Sequence, residues 1–122
     1  MTEVFDSAVR SAGDLAGVYE YDGDTSYFYL YDTRSEDTRK VIAAIPVLAG
    51  PSDFEEEDVA IRWDSTEGKV GLFIRERLWA AFDIETGAKY GGNYCAHGNP
   101  EMPVEIAEAF ETEFGGEFGG HP

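Results

Sequence analysis

Alternating apolar and polar positions run through most of the chain and predict mainly β-strands. Two aromatic runs, near 16–22 and 26–32, flank the acidic turn Asp22-Gly23-Asp24-Thr25. An Asp-Gly pair between alternating segments favours a hairpin, because glycine adopts the positive φ that a tight turn needs. We therefore expect a β-hairpin here, with the sheet growing from it.

The length of the hairpin loop decides which face the tyrosines occupy. Tyr27, Tyr29 and Tyr31 share one face of the second strand, since side chains alternate along a strand. A loop of two or four residues would place Tyr19 and Tyr21 on the opposite face, beside Phe28 and Leu30, as ordinary core. A loop of three or five residues would place all five tyrosines on one face, as a platform suited to binding. The sequence leaves both open and favours ordinary packing, since aromatic residues are also good strand formers.

Further strands are predicted along the rest of the chain. The apolar run from Lys40 to Leu48 predicts a buried strand, and Pro46 within it indicates a sheet edge or a bulge. Shorter alternating segments predict a meander with strands over 59–63, 69–75 and 78–84, and a short return strand at 89–90.

Apolar residues at three- and four-residue spacing predict a helix at each end. Residues 2–12 predict a short N-terminal helix that stops at Gly13. A C-terminal helix is predicted from Pro103 to about Phe114, with an apolar stripe that packs on the sheet. The glycine-rich residues 115–122 predict a disordered tail.

One α+β domain over residues 1–114 accommodates these elements. We expect an antiparallel meander sheet of about six strands, with the C-terminal helix packed on one face, and a short N-terminal helix. The chain of 122 residues has the size of one domain. It has no apolar run long enough for a membrane span, no basic and apolar leader, and a single cysteine. We therefore expect a cytoplasmic protein without membrane contact.

Charge is the most unusual global property. The chain carries 25 acidic and 9 basic residues, a formal net charge of -16. The electrostatic field of so negative a protein repels nucleic acid and attracts basic proteins, so direct nucleic-acid binding is not expected. The acidity can serve solubility, steer the protein onto a basic partner, or imitate a nucleic-acid backbone.

Candidate catalytic and metal residues are few. Cys95 and His97 are two residues apart and point the same way in an extended segment, so a thiolate–imidazole pair is conceivable. A cysteine nucleophile also needs an oxyanion hole and an orienting group, which no motif here specifies. Zinc needs three or four ligands, and the chain has one cysteine and two histidines. We predict no catalytic residue, no metal and no cofactor.

The acidic turn has the first half of a calcium loop but not the second. Asp22, Asp24 and Ser26 have the required spacing, but the positions of the essential glycine and glutamate hold Tyr27 and Thr33. A turn in which aspartate bonds its own backbone explains the pattern better.

Several of these segments resemble a small bacterial family catalogued as a domain of unknown function. The resemblance rests on the acidic turn and its aromatics over 22–29, the strand end Ile61-Arg62-Trp63, and the strand over 78–83 leading to Tyr90. It covers roughly Gly17 to Pro100 and implies no catalytic residues. In size, acidity and lack of motifs, the chain is also similar to immunity proteins of bacterial toxin systems.

The leading hypothesis is a non-enzymatic, acidic, immunity-type inhibitor that neutralises a basic toxin or nuclease. It would act by electrostatic steering followed by occlusion of the partner. One alternative is a nucleic-acid mimic of the anti-restriction or anti-CRISPR kind, and another is a housekeeping domain whose acidity serves solubility. The candidate partner-binding residues are Asp22, Asp24, Tyr27, Tyr29, Tyr31, Glu55, Glu56, Glu57, Asp58 and Trp79.

Overall fold

A computed structural model describes residues 3–34, 40–95 and 98–110. The strands in these ranges are β1 (Val4–Val9), β2 (Leu15–Tyr21), β3 (Thr25–Asp32), β4 (Val41–Ala49), β5 (Val59–Trp63), β6 (Lys69–Ile74), β7 (Arg77–Asp83) and β8 (Lys89–Gly91). A 3-10 helix, Glu56–Asp58, precedes β5, and residues 104–110 form the described part of a C-terminal helix, α1. The predicted tail at 115–122 lies outside the described residues.

The strands form two antiparallel sheets of four, in the orders β1-β2-β3-β4 and β5-β6-β7-β8. The prediction of one sheet of about six strands was therefore wrong. The break follows β4, where Gly50 has a φ of 104° and Pro51 lacks an N–H to continue the ladder. Each sheet has an apolar face, and stacking the two sheets buries both faces at once.

The segment predicted as an N-terminal helix is the edge strand β1. It pairs with β2 from Val4↔Tyr21 to Val9↔Ala16. Its apolar residues fit a period of two as well as the helical period, and pairing with β2 gives its backbone inter-strand hydrogen bonds. Gly13, expected as a helix stop, instead supplies a φ of 75° in the β1–β2 turn.

The main core lies between the sheets. Phe28 of β3 meets Phe82 of β7 with ring centroids 5.1 Å apart, and neither side chain reaches solvent appreciably. At the β1 edge, the Trp63 Nε1–H donates to the Ala8 carbonyl over 3.0 Å and links the two sheets. The predicted strands β2 to β8 are present, and β4 is an edge strand with a register irregularity beside Pro46, as predicted. The prediction that this strand is buried holds only in part, because Val41 and Ile42 at its start are exposed.

Helix α1 covers the outer face of the second sheet. Ile106 and Phe110 pack on a cluster that includes Phe73, Leu78 and Ala81. This confirms a C-terminal helix packed on one sheet face, although its buried stripe runs through Ile106 rather than the exposed Val104. In the part of the chain that the structure describes, no helix is long and apolar enough to cross a membrane.

Candidate protein-binding surface

The register of the β2–β3 hairpin separates the tyrosines into two groups. Tyr21 pairs with Ser26 and Tyr19 with Phe28, so four residues, 22–25, separate the last register pair, and odd positions of β2 lie opposite even positions of β3. Tyr19 and Tyr21 therefore point into the core, and the ordinary packing favoured by the sequence is confirmed for them. Tyr27, Tyr29 and Tyr31 point the other way, onto the outer face of the first sheet.

The acidic turn is held by its own first residue. The Asp22 carboxylate accepts hydrogen bonds from the backbone N–H groups of Asp24 and Thr25, each over 2.8 Å. These bonds hold the pKa of Asp22 below its usual range. The predicted backbone-bonding role of aspartate is confirmed for Asp22, while the Asp24 carboxylate has no hydrogen-bond or ion-pair partner among the described residues.

The outer face of the first sheet, called here the tyrosine face, is built of three rows that cross its four strands. The register gives the rows as Phe5, Glu20, Tyr27 and Pro46; Ser7, Val18, Tyr29 and Ala44; and Val9, Ala16, Tyr31 and Val41. Side chains of register partners emerge on the same face, so each row is a line of lateral neighbours.

The tyrosine face is apolar although it faces solvent. Phe5, Val9, Tyr27 and Val41 are between 40% and 55% exposed. Val18 lies among them, buried but outside both core clusters. The open face of an antiparallel sheet is normally polar. From the spacing between strands and the rise per residue, and with the side chains at its border included, the tyrosine face has an area of about 400 Å². Exposed apolar patches of this size mark interaction sites.

The three tyrosines form a continuous aromatic row along β3. The rings of Tyr27 and Tyr29 stack with centroids 5.8 Å apart and planes 22° from parallel. Tyr29 and Tyr31 meet edge-on at 6.1 Å. Partial burial, and then the nearby Glu20 carboxylate, raise the pKa of Tyr29. Tyr29 therefore presents a neutral hydroxyl at physiological pH.

The acidic run 55–58 lies at the same end of the sandwich as the hairpin turn. The Glu56 carboxylate accepts the Phe5 N–H over 3.3 Å, and Phe5 begins the row that continues to Glu20 and Tyr27. Two strand spacings, about 10 Å, separate Phe5 from Tyr27. This end of the molecule, called here the acidic end, comprises Glu20, Asp22, Asp24, Glu55, Glu56, Glu57 and Asp58.

Some carboxylates at or next to the acidic end form hydrogen bonds and ion pairs within the protein. Asp58 accepts the Glu55 N–H over 2.9 Å and lies 3.7 Å from the Arg75 Nε. Asp53, which precedes the acidic run in sequence, accepts a hydrogen bond from the Tyr94 hydroxyl at 2.7 Å and pairs with Arg75 at 3.0 Å, and these contacts lower the pKa of Asp53.

Other carboxylates at this end remain available. Glu20, Asp24 and Glu57 are exposed and have no hydrogen-bond or ion-pair partner for their side chains among the described residues, and the exposed Glu55 caps the 3-10 helix by accepting the Asp58 N–H but has no basic partner there. A partner that approaches this end therefore meets unneutralised carboxylates.

Phe54 anchors the acidic run and was not singled out from the sequence. It is 3% exposed, and its ring lies 6.4 Å from that of Tyr19, 6.5 Å from Tyr21 and 5.1 Å from Tyr94. The available signal was one large apolar residue inside an otherwise acidic loop. Glu20 and Phe5 were also missed, because their place beside Tyr27 depends on strand register.

The predicted surface position of Trp79 is corrected. Trp79 is 3% exposed and packs edge-on against Tyr94, with centroids 4.7 Å apart. The β6–β7 register passes from Leu72↔Ala80 to Phe73↔Leu78, which leaves Trp79 in a bulge. The extra residue rotates the strand, so that Trp79 turns into the main core and does not belong to the surface.

The alternative site at Cys95 and His97 lies partly outside the described residues. Cys95 is a free, exposed thiol, and His97 lies outside the described ranges. Over residues 3–34, 40–95 and 98–110, no group of three or more His, Cys, Asp or Glu side chains could hold a metal ion.

The fold and surface define an antiparallel two-sheet domain with one helix-covered face and one face that no described residue covers. A family described as "Uncharacterized protein conserved in bacteria (DUF2251)" matches residues 2–113, and the chain belongs to this family. The resemblance found from the sequence is thereby confirmed. No curated protein and no solved structure matches the chain.

Proposed function

We propose that this protein is a non-enzymatic, acidic, immunity-type inhibitor that binds and neutralises a basic protein, such as a toxin or nuclease, in the cytoplasm. The observation that carries the proposal is the tyrosine face, an apolar sheet face that continues into the acidic end. Apolar patches of this size mark interaction sites, and the adjoining charge specifies the sign of the partner.

Electrostatics supports a basic partner. The net charge of -16 attracts cationic proteins over long range and can raise association rates by about 10- to 1,000-fold. The exposed carboxylates of Glu20, Asp24 and Glu57, which have no hydrogen-bond or ion-pair partner among the described residues, concentrate this field beside the tyrosine face. The basic residues Arg34 and Lys40 lie at the opposite end of the same sheet, so the surface also orients the partner.

The row of tyrosines along β3 supports slow dissociation of a partner once it has bound. Tyrosine is enriched among the residues that dominate binding energy, since it offers a large apolar body with a polar tip. The tyrosine face supplies about half of the roughly 800 Å² that each partner contributes to a standard interface. The exposed carboxylates of the acidic end extend the contact beyond it.

A second copy of the chain is a poorer occupant of this face. Two copies would bring a charge of -16 against another -16, which opposes close contact. A basic partner relieves the same repulsion.

The other hypotheses fit the surface less well. A nucleic-acid mimic needs a regular row of carboxylates, but the regular row here, with a spacing of about 7 Å along β3, consists of tyrosines. A housekeeping domain with acidity for solubility leaves the exposed Phe5 and Tyr27 unexplained.

Affinity capture from a bacterial lysate at low and then rising salt tests the proposal. We expect the immobilised protein to retain a basic protein at low salt and to release it as salt rises, because screening weakens the steering and rim contacts. Retention of no basic protein at low salt would contradict the proposal, as would a captured protein whose retention is independent of salt.

A further inference from the structure

The first row of the tyrosine face places one carboxylate between two aromatic side chains. Register pairs Glu20 with Phe5 on one side and with Tyr27 on the other. All three side chains are exposed on the same face, with Cβ atoms of neighbours about 5 Å apart. After partial burial, the Glu20 carboxylate also raises the pKa of the Tyr29 hydroxyl, which agrees with its place in the neighbouring row of the register.

We propose that Phe5, Glu20 and Tyr27 form a recognition site for one arginine side chain of the basic partner. The inference rests on the function proposed above and specifies the chemistry of its central contact. Glu20 binds the guanidinium, and the two aromatic side chains flank it.

The position of Glu20 requires a cation from any partner that covers the face. A partner that buries the tyrosine face removes water from this carboxylate, and an unpaired charge without water strongly destabilises the complex. Within the described residues, no basic side chain of the protein itself pairs with Glu20. A partner without a cation at this point is therefore disfavoured, so Glu20 provides specificity as well as attraction.

The shape of the site favours arginine over lysine. The stacked rings of Tyr27 and Tyr29, 22° from parallel, offer π faces and edges beside the carboxylate. A planar guanidinium can stack on an aromatic ring while it donates two parallel hydrogen bonds to a carboxylate. A lysine ammonium is a compact, strongly hydrated charge that makes neither arrangement.

Two peptides of equal length and charge test the inference directly. Hexa-arginine and hexa-lysine are titrated into the full chain by isothermal titration calorimetry near physiological ionic strength. We expect hexa-arginine to bind about two- to fivefold more tightly, the factor that corresponds to one exposed cation–π contact. Glu20→Gln should abolish this preference, and Tyr27→Leu, which keeps the apolar volume, should reduce it.

Glu85→Gln is the matched control. Glu85 is exposed in the β7–β8 turn, at the opposite end of the sandwich, and its replacement removes the same charge. It should weaken both peptides equally and leave the arginine preference unchanged. Circular dichroism of each variant checks that the fold is retained.

The outcomes separate this inference from the proposed function. Equal wild-type affinity for the two peptides would overturn the arginine site, as would equal effects of Glu20→Gln and Glu85→Gln. Salt-sensitive capture of a basic protein would still support the inhibitor in that case. A Glu20-dependent arginine preference would support the site even if no partner were captured from the chosen lysate.

Discussion

Truncation of Phe54 should destabilise the protein strongly, since this residue anchors the acidic run to the core. Its side chain is 3% exposed and contacts the rings of Tyr19, Tyr21 and Tyr94 at centroid distances of 5.1 to 6.5 Å. Phe54→Ala removes a buried ring and leaves a cavity that the two sheets can close only in part.

The expected loss is about 3–5 kcal/mol, the usual cost of Phe→Ala in a core. A domain of 122 residues has a free energy of unfolding of roughly 6–18 kcal/mol. The variant should therefore still fold in water. With a urea m-value of about 2 kcal/mol/M, the unfolding midpoint should fall by about 2 M.

Equilibrium urea unfolding, followed by tryptophan fluorescence, measures this loss. Phe5→Ala is the matched control, because Phe5 is 54% exposed and should cost less than about 1 kcal/mol. Similar midpoints for Phe54→Ala and wild type would refute the anchoring role of Phe54. A large loss for Phe5→Ala would show that the outer face is covered.

Two further predictions test the helix packing and the buried tyrosines. In Gly71→Ala, the new Cβ would lie 2.5 Å from the Leu78 Cδ1 and 3.0 Å from the Phe110 Cζ, so overpacking under α1 should cost about 1–3 kcal/mol in urea unfolding. Gly68→Ala, whose nearest neighbour is 3.3 Å away, should cost less, and equal costs would contradict the packing of α1 on the second sheet. Burial raises the pKa of Tyr19 and of Tyr94 to about 12. Because folding favours their neutral forms, their contribution to stability is complete below pH about 10 and is lost as the pH rises toward 12. In an absorbance titration, Tyr19 and Tyr94 should ionise only as the pH rises toward 12, together with unfolding. Ionisation of every tyrosine near pH 10, with the fold intact, would contradict this prediction.

Local pattern was sufficient to predict most of the strands. The Asp-Gly turn, the alternation in β5 to β7 and the apolar run of β4 each depend on neighbours in sequence, and the structure contains them. The division into two sheets depends on the connection at 50–58, which links β4 to β5. Phe54 in this connection is buried by residues that are distant in sequence, so local pattern does not reveal it. The helix predicted over 2–12 failed because its apolar spacing fits two periods, and only pairing with β2 selects the strand.

The candidate site was predictable in its residue types but not in its arrangement. Tyr27, Tyr29 and Tyr31 share a face by simple alternation. The place of Glu20 beside Tyr27 required the register of the hairpin, and the contact of Glu56 with Phe5 required the fold. Trp79 was misplaced because a single bulge residue reverses the face that alternation predicts.

Paired affinity capture tests the central claim most directly, that the tyrosine face is the docking surface for a basic protein. Wild type is compared with the double variant Tyr27→Ser, Tyr31→Ser and with Val104→Ser, which changes an apolar residue that is 66% exposed on α1. The basic protein that wild type retains at low salt should be lost from the tyrosine variant and kept by the Val104 variant. Equal retention by all three would show that docking occurs elsewhere and would contradict the claim.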